Sequence, residues 1–322
     1  MKKKRRDVGA IYNLNILGCR DNVMKRVWNA IKSECAGANV EKTRFENVAC
    51  ELQEIVFSFT REETLNAIQK IGVIPESFGR DSTEEKLFAK TSDLVLARAL
   101  SFLGFSVEVC RRRGDFADVV AESKRFGYKL AADAKSFRLS RTAKNQKDYK
   151  VTALNSWRIN AVADFAVLVA PYFQYPTKES QIYRQALEAN VCLASWETLF
   201  LLLANNVEES ERLNLSRYWA FQSDLAARVP VAESKRSFLN ESASALCEIA
   251  DLSSEKWSET LAVFRAVVGK QGSDEIERLT KEIEKIKVLT REEAIEALIE
   301  KTKYRENIKT IRAYLKKIGA TV

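Results

Sequence analysis

The sequence predicts an α/β chain: a mixed β-sheet core flanked by helices, with helical N-terminal and C-terminal regions. Three observations predict it. Short β-branched or apolar runs, punctuated by Gly, Arg and Lys, cluster in the middle of the chain. One of them, "DFAVLVAPYF", is apolar almost throughout, as befits a strand covered on both faces. Before and after this region the apolar residues recur at helical spacing behind cap signatures. The expected divisions are a mostly helical region 1–80, a core 81–206, and a helical packing or dimerisation region 207–322 that forms one compact unit with the core.

The elements follow in order. "FTREETLNAIQKIGVIPE" opens with a capping box, Thr60 with Glu63, carries Leu65, Ile68 and Ile71 on one stripe, and is ended by Pro75. In "DSTEEKLFAKTSDLVLARALSFLGF", Ser82 and Glu85 form a second box. The helix runs through Leu87, Leu94, Leu96 and Leu100, and Gly104 is placed to stop it. "FSVEVC", "FADVVAE" and "YKLAADAKS" read as strands. A helix follows over Tyr149 to Val162, then the strand "DFAVLVAPYF". A further strand "ANVCLAS" and the helix "WETLFLLLANN" close the core. From Glu208 onward only helical periodicity remains. Ile276, Leu279, Ile283 and Ile286 lie at 3–4 spacing, and Thr290 with Glu293 makes a third capping box.

Composition narrows the chemistry. The 322 residues carry a net charge of +8, which favours a polyanionic partner such as nucleic acid. No apolar run reaches membrane-span length, and the basic start "MKKKRRDVGA" lacks the apolar core of a signal peptide. Its "KKKRR" run reads as a solvated tail, with phosphate contact the alternative. The six cysteines are scattered without a CxxC pair, which fits reduced thiols in a cytoplasm. There is no histidine at all. Ser-His-Asp and Cys-His catalysis and histidine-ligated zinc are thereby excluded, and hydrolysis must run on carboxylates, lysine or tyrosine.

One stretch concentrates the candidates: "KLAADAKSFRLSRTAKNQKDYK", Lys129 to Lys150. On a strand, residues two apart share a face, so Asp133 and Lys135 project together. The strands "FADVVAES" and "YKLAADAK" are joined by a turn, and antiparallel pairing brings Asp118 toward Asp133. Two carboxylates and the backbone carbonyl between them, that of Ala134, suit Mg²⁺, with Mn²⁺ as a substitute. Such a cation polarises a phosphate and activates water, and the lysine orients that water. The same spacing also arises on an ordinary surface. Beyond the triplet, Arg138, Arg141, Lys144, Lys147 and Lys150 recur every third residue, a pattern that suits a loop tracking phosphates better than one helix face. Asn145 and Asp148 lie among them and suit base edges.

"AADAKSFRLSRTAKNQKDYK", "STEEKLFAKTSDLVLARAL" and "DFAVLVAPYFQYPTKESQIYRQALEANVCLASWETL" resemble the HindIII family of type II restriction endonucleases. The likeness is strong from Asp81 to Leu203. It is weaker around "TREETLNAIQKIGVIPE" and the C-terminal helices, and absent over about the first fifty residues. The resemblance implies a restriction-endonuclease-like PD-(D/E)xK fold. It also implies a Mg²⁺-dependent homodimer that cuts double-stranded DNA at AAGCTT after the first A, with a cognate methyltransferase in the same bacterial system. It assigns Asp118 as first acid, Asp133 as second and Lys135 as the lysine. Ala117 stands where the motif's proline would. Glu85 is a further candidate metal ligand, although its capping box explains it equally well. Arg111 replaces a family glutamate, for which Glu108 is a possible substitute. The other readings are a PD-(D/E)xK repair or recombination nuclease and a DNA-binding protein that does not cleave.

Overall fold

The structure is a computed structural model that describes residues 22–35, 42–110, 116–140, 146–176, 180–228, 237–301 and 308. Four helices lead in: α1 (Asn22–Cys35), α2 (Lys42–Phe57), α3 (Arg61–Ile71) and α4 (Thr83–Phe102). The strands β1 (Phe105–Val109), β2 (Val119–Ser123) and β3 (Lys129–Ala134) follow. A helical turn α5 (Gln146–Tyr149) and helix α6 (Val151–Asn160) lead to β4 (Phe165–Ala170). Helix α7 (Gln181–Glu188) then leads to β5 (Val191–Ser195). After these come α8 (Trp196–Ala204), α9 (Ser216–Trp219), α10 (Phe221–Arg228), α11 (Ser237–Ile249), α12 (Ser254–Lys287) and α13 (Arg291–Lys301). No helix among the described residues is long and apolar enough to cross a membrane.

The five strands lie in sequence order in one mixed sheet. β1–β2 and β2–β3 are antiparallel, while β3–β4 and β4–β5 are parallel. Helical crossovers are what parallel neighbours require, and α5–α6 and α7 supply them. Alternation along β3 sends Leu130 and Ala132 into the core under α1–α4 and α8, and Ala131 into the core under α6, α7, α10 and α11. The hairpin between β2 and β3 is tied down by Glu209. Its carboxylate accepts from the Ser123 hydroxyl, the Tyr128 hydroxyl and the Leu215 N–H. Burial and then that carboxylate push the Tyr128 hydroxyl pKa upward.

The caps match their sequence signatures with one variation. Thr60 and Glu63 cap α3 reciprocally, and Thr290 and Glu293 do the same for α13. Ser82 accepts from Glu85 N–H, but the Glu85 carboxylate reaches past it to the Asp81 N–H at 2.6 Å. Gly104 takes φ +101° just beyond α4, the left-handed turn that glycine allows.

Two boundaries differ from expectation. α3 stops at Ile71, short of Pro75, because the chain leaves the helix to pair with the segment after β3. Phe137 N–H donates to Gly72 O and Ile74 N–H to Phe137 O, at 3.0 and 3.2 Å. A Cβ on Gly72 would sit 2.8 Å from Pro171 Cγ and 3.1 Å from Trp196 Cδ1, so only glycine permits this approach. The expected helix over Tyr149 to Val162 is broken at Lys150, whose φ of 51° is left-handed.

The chain divides into two compact units, Met1–Val268 and Gly269–Val322, with the boundary inside α12. In the second unit Ile276, Leu279, Ile283, Ile286, Ile295 and Leu298 are exposed, and α13 buries no residue.

Candidate active site

β3 is where the sheet changes from antiparallel to parallel pairing. Because β2 runs against β1 and β3, one sheet end collects the C-terminus of β1, the N-terminus of β2 and the C-terminus of β3. Asp118 stands just before β2, and its carbonyl accepts from Cys110 N–H at 2.9 Å. Asp133 is the second-last residue of β3, and Lys135 follows the strand. The expected meeting of Asp118, Asp133 and Lys135 is what the hairpin register produces.

α4 adds a third acid that sequence reading missed. Asp93, Asp118 and Asp133 each direct a carboxylate oxygen into one group, all within 4.8 Å of one another. The available signal was a polar run, Thr91-Ser92-Asp93, next to the apolar stretch Leu94–Ala97 of one helix. Asp133 is 1% exposed and Asp93 6%, whereas Asp118 is the more open acid. Burial raises the Asp133 pKa; the Lys135 charge opposes this and Asp118 adds to it. Burial likewise lifts Asp93 well above the carboxylate range, helped by Asp118 and Asp133. Lys135 is pulled down by burial, but Asp133, Asp93 and Asp118 together outweigh that and its net shift is upward.

Asp133 and Lys135 are in direct ionic contact. Asp133 Oδ2 is buried against the Lys135 ammonium. Three converging carboxylates, two of them on buried residues, are a hard-oxygen donor set that fits a divalent cation. A second lysine, Lys90 of α4, also stands close to the acids. Its Nζ donates to Cys110 O at 2.8 Å and lies 3.9 Å from Asp118 and 4.0 Å from Asp93.

The backbone under Lys135 is fixed on two sides. Lys135 N–H donates to Val169 O at 2.7 Å, and Trp196 Nε1 donates to Lys135 O at 3.1 Å. Ser136 Oγ then donates to Ile71 O at 2.6 Å. Ala134, between the two site residues, is buried.

Other expected site residues fall elsewhere. Arg138 is 7% exposed rather than displayed on a basic surface. Its guanidinium donates to Glu85 Oε1 and to the carbonyls of Pro75 and Gly79, and pairs with Glu76. Glu76 also accepts from Ser140 N–H and Oγ, both at 2.8 Å. Arg138 is therefore a buried structural tie, since a buried guanidinium needs its donors filled. The same bonds occupy Glu85, which is not among the three converging acids. Glu108 is exposed on β1, opposite Val120. Asp148 is half-buried in α5. Lys150 is exposed, and its charge reaches Asp133 and lowers the pKa there. Arg111, Arg141, Lys144, Asn145 and the "KKKRR" run lie outside the described residues, as does the side chain of Lys147.

The model of the HindIII restriction endonuclease family matches residues 25–314. The match starts earlier than the motif likeness, which was expected to be absent over about the first fifty residues. A curated relative, the type II restriction enzyme HindIII of Haemophilus influenzae, is 38% identical over 280 residues, covering 87% of this chain and 93% of the relative. With a mixed sheet that gathers its acids and lysine at one end, and with a match over nearly its whole length, the chain belongs to the HindIII restriction endonuclease family.

Proposed function

We propose that this restriction endonuclease uses Mg²⁺ to hydrolyse double-stranded DNA at the palindrome AAGCTT, after the first A, leaving 5′-phosphates. The proposal includes the PD-(D/E)xK assignment of Asp118, Asp133 and Lys135. The observation that carries it is their convergence at one sheet end, on a carboxylate group that includes Asp93.

Asp118, Asp133 and the Ala134 carbonyl would hold the cation, with Asp93 closing the acid group from α4. Bound there, the cation would polarise the scissile phosphate and lower the pKa of a water. Lys135 Nζ sits at the rim of this group, where it orients an attacking water and offsets charge developing on the phosphate. Trp196 and Val169 hold the lysine's backbone, so its reach is set by the side chain alone. Arg141, Lys144, Lys147 and Lys150 supply phosphate contacts, and Asn145 and Asp148 read bases.

A palindromic site calls for a two-fold dimer, one active site per strand. A second copy of the chain suits the exposed stripe Ile276, Leu279, Ile283 and Ile286, whose 3–4–3 spacing is that of a coiled-coil seam. Action on DNA in a bacterial cytoplasm, beside a cognate methyltransferase, completes the reading.

Incubation with plasmid DNA and Mg²⁺, followed by run-off sequencing of the products, tests activity, site and cut position together. Discrete fragments ending at A/AGCTT are expected. Random or structure-dependent cutting would favour a repair nuclease, and salt-dependent binding without cleavage a DNA-binding protein.

A further inference from the structure

Lys90 has no part in the family's motif, yet it is built into the acid group. It lies one helical turn before Asp93 on α4, so the two side chains share a face. Among the described residues its ammonium makes one hydrogen bond, to Cys110 O, and stands within 4.0 Å of both Asp93 and Asp118. Those two distances are too long for hydrogen bonds and short enough for strong Coulomb interaction. The side chain is 20% exposed, so water screens it only in part.

With all three carboxylates ionised, as a bound cation requires, the formal charges of the group among the described residues are three carboxylates against two ammoniums, Lys90 and Lys135, leaving one net negative charge. A divalent cation alone overshoots this balance by one positive charge. A cation together with one phosphodiester brings it to zero. Without Lys90, the group would carry two negative charges, and the cation alone would neutralise it.

From this we propose that Lys90 couples metal binding to DNA binding: it holds the cation affinity of the free enzyme down until a DNA phosphate enters. The inference rests on the reading of Asp93, Asp118 and Asp133 as cation ligands. Lys90 is a positioning residue here, acting through the carboxylates rather than on DNA. The coupling is reciprocal, so the cation in turn tightens DNA binding.

The test is calorimetric titration of the full chain with Ca²⁺, a hard cation for the same oxygen donors, with and without a duplex containing AAGCTT. Lys90→Gln keeps a donor for Cys110 O but removes the charge, Lys90→Met removes both, and Lys90→Arg keeps the charge. In wild type, the duplex should raise Ca²⁺ affinity about tenfold or more, the scale expected for one added charge at partly screened contact range. In Lys90→Gln and Lys90→Met, affinity without DNA should rise about tenfold and the gain from DNA should shrink to match. Lys90→Arg should behave as wild type. Loss of a merely structural contact would lower metal affinity, the opposite sign. Unchanged or weakened binding in Lys90→Gln, with wild type still binding, overturns the coupling. Should neither neutral variant fold, a wild-type affinity indifferent to DNA overturns it alone. The underlying site reading fails separately, if Asp133→Asn binds Ca²⁺ as wild type does.

Discussion

The indole N–H of Trp196 donates to the carbonyl of Lys135 at 3.1 Å. The first residue of α8 thus holds the backbone of the lysine that closes the acid group, while Gly72 packs closely between the same indole and Pro171. Trp196→Phe keeps most of the bulk and removes this bond. The expected stability loss is about 1 kcal/mol. Single-turnover cleavage should slow by about tenfold while DNA affinity stays constant, because positioning of Lys135 matters in the transition state and little for binding.

Substitutions at Arg138 and Lys150 test whether the structural and binding roles of the basic residues separate. Arg138→Met leaves Glu85 and Glu76 without their buried partner, so it should destabilise the fold by roughly 3 kcal/mol or more. Lys150→Ala should leave the denaturation midpoint unchanged, weaken DNA binding and reduce the slope of affinity against salt by about one. Chemical denaturation and salt-dependent binding assays on the two variants check this. The reverse pattern would return Arg138 to the DNA surface.

Glu197 gives a stability signal away from the acids. It is 1% exposed and accepts from Tyr172 N–H at 2.9 Å, and burial pushes its pKa up to about 7. The folded protein therefore binds this proton more tightly than the unfolded chain does. Its contribution is complete below the unfolded carboxylate pKa and is lost as pH rises from about 4.5 through about 7. Glu197→Gln can keep the Tyr172 bond without the ionisation. It should be more stable than wild type above neutral pH, by up to about 3 kcal/mol, and differ little in acid. Melting both proteins across that pH range decides it; parallel curves would contradict the assignment.

The sheet was legible because its strands are short, apolar and separated by turn residues, and because hairpin geometry alone brings Asp118 to Asp133. Asp93 was not legible in the same way. Helical periodicity places it one turn from Lys90, but which strand end that face meets depends on packing of α4 across the sheet. Arg138 was misjudged for a related reason. Counting charges along "SFRLSRTAKNQK" treats them as equivalent, whereas its carboxylate partner Glu85 lies 53 residues away in sequence. The left-handed break at Lys150 has no glycine or asparagine to announce it. The caps, being local, were read correctly, apart from the one residue by which Glu85 overshoots Ser82.

The central claim is that the acids at this sheet end, with Lys135, cut DNA with a divalent cation. Cleavage of a plasmid carrying AAGCTT by wild type, Asp133→Ala and Asp93→Asn, each with Mg²⁺ and with a chelator, tests it most directly. Discrete fragments are expected from wild type only with Mg²⁺, with cutting at least about a thousandfold slower in Asp133→Ala on the scale of lost transition-state stabilisation, and clear impairment of Asp93→Asn. Asp133→Ala cutting as fast as wild type, or wild type cutting equally well in chelator, would contradict it.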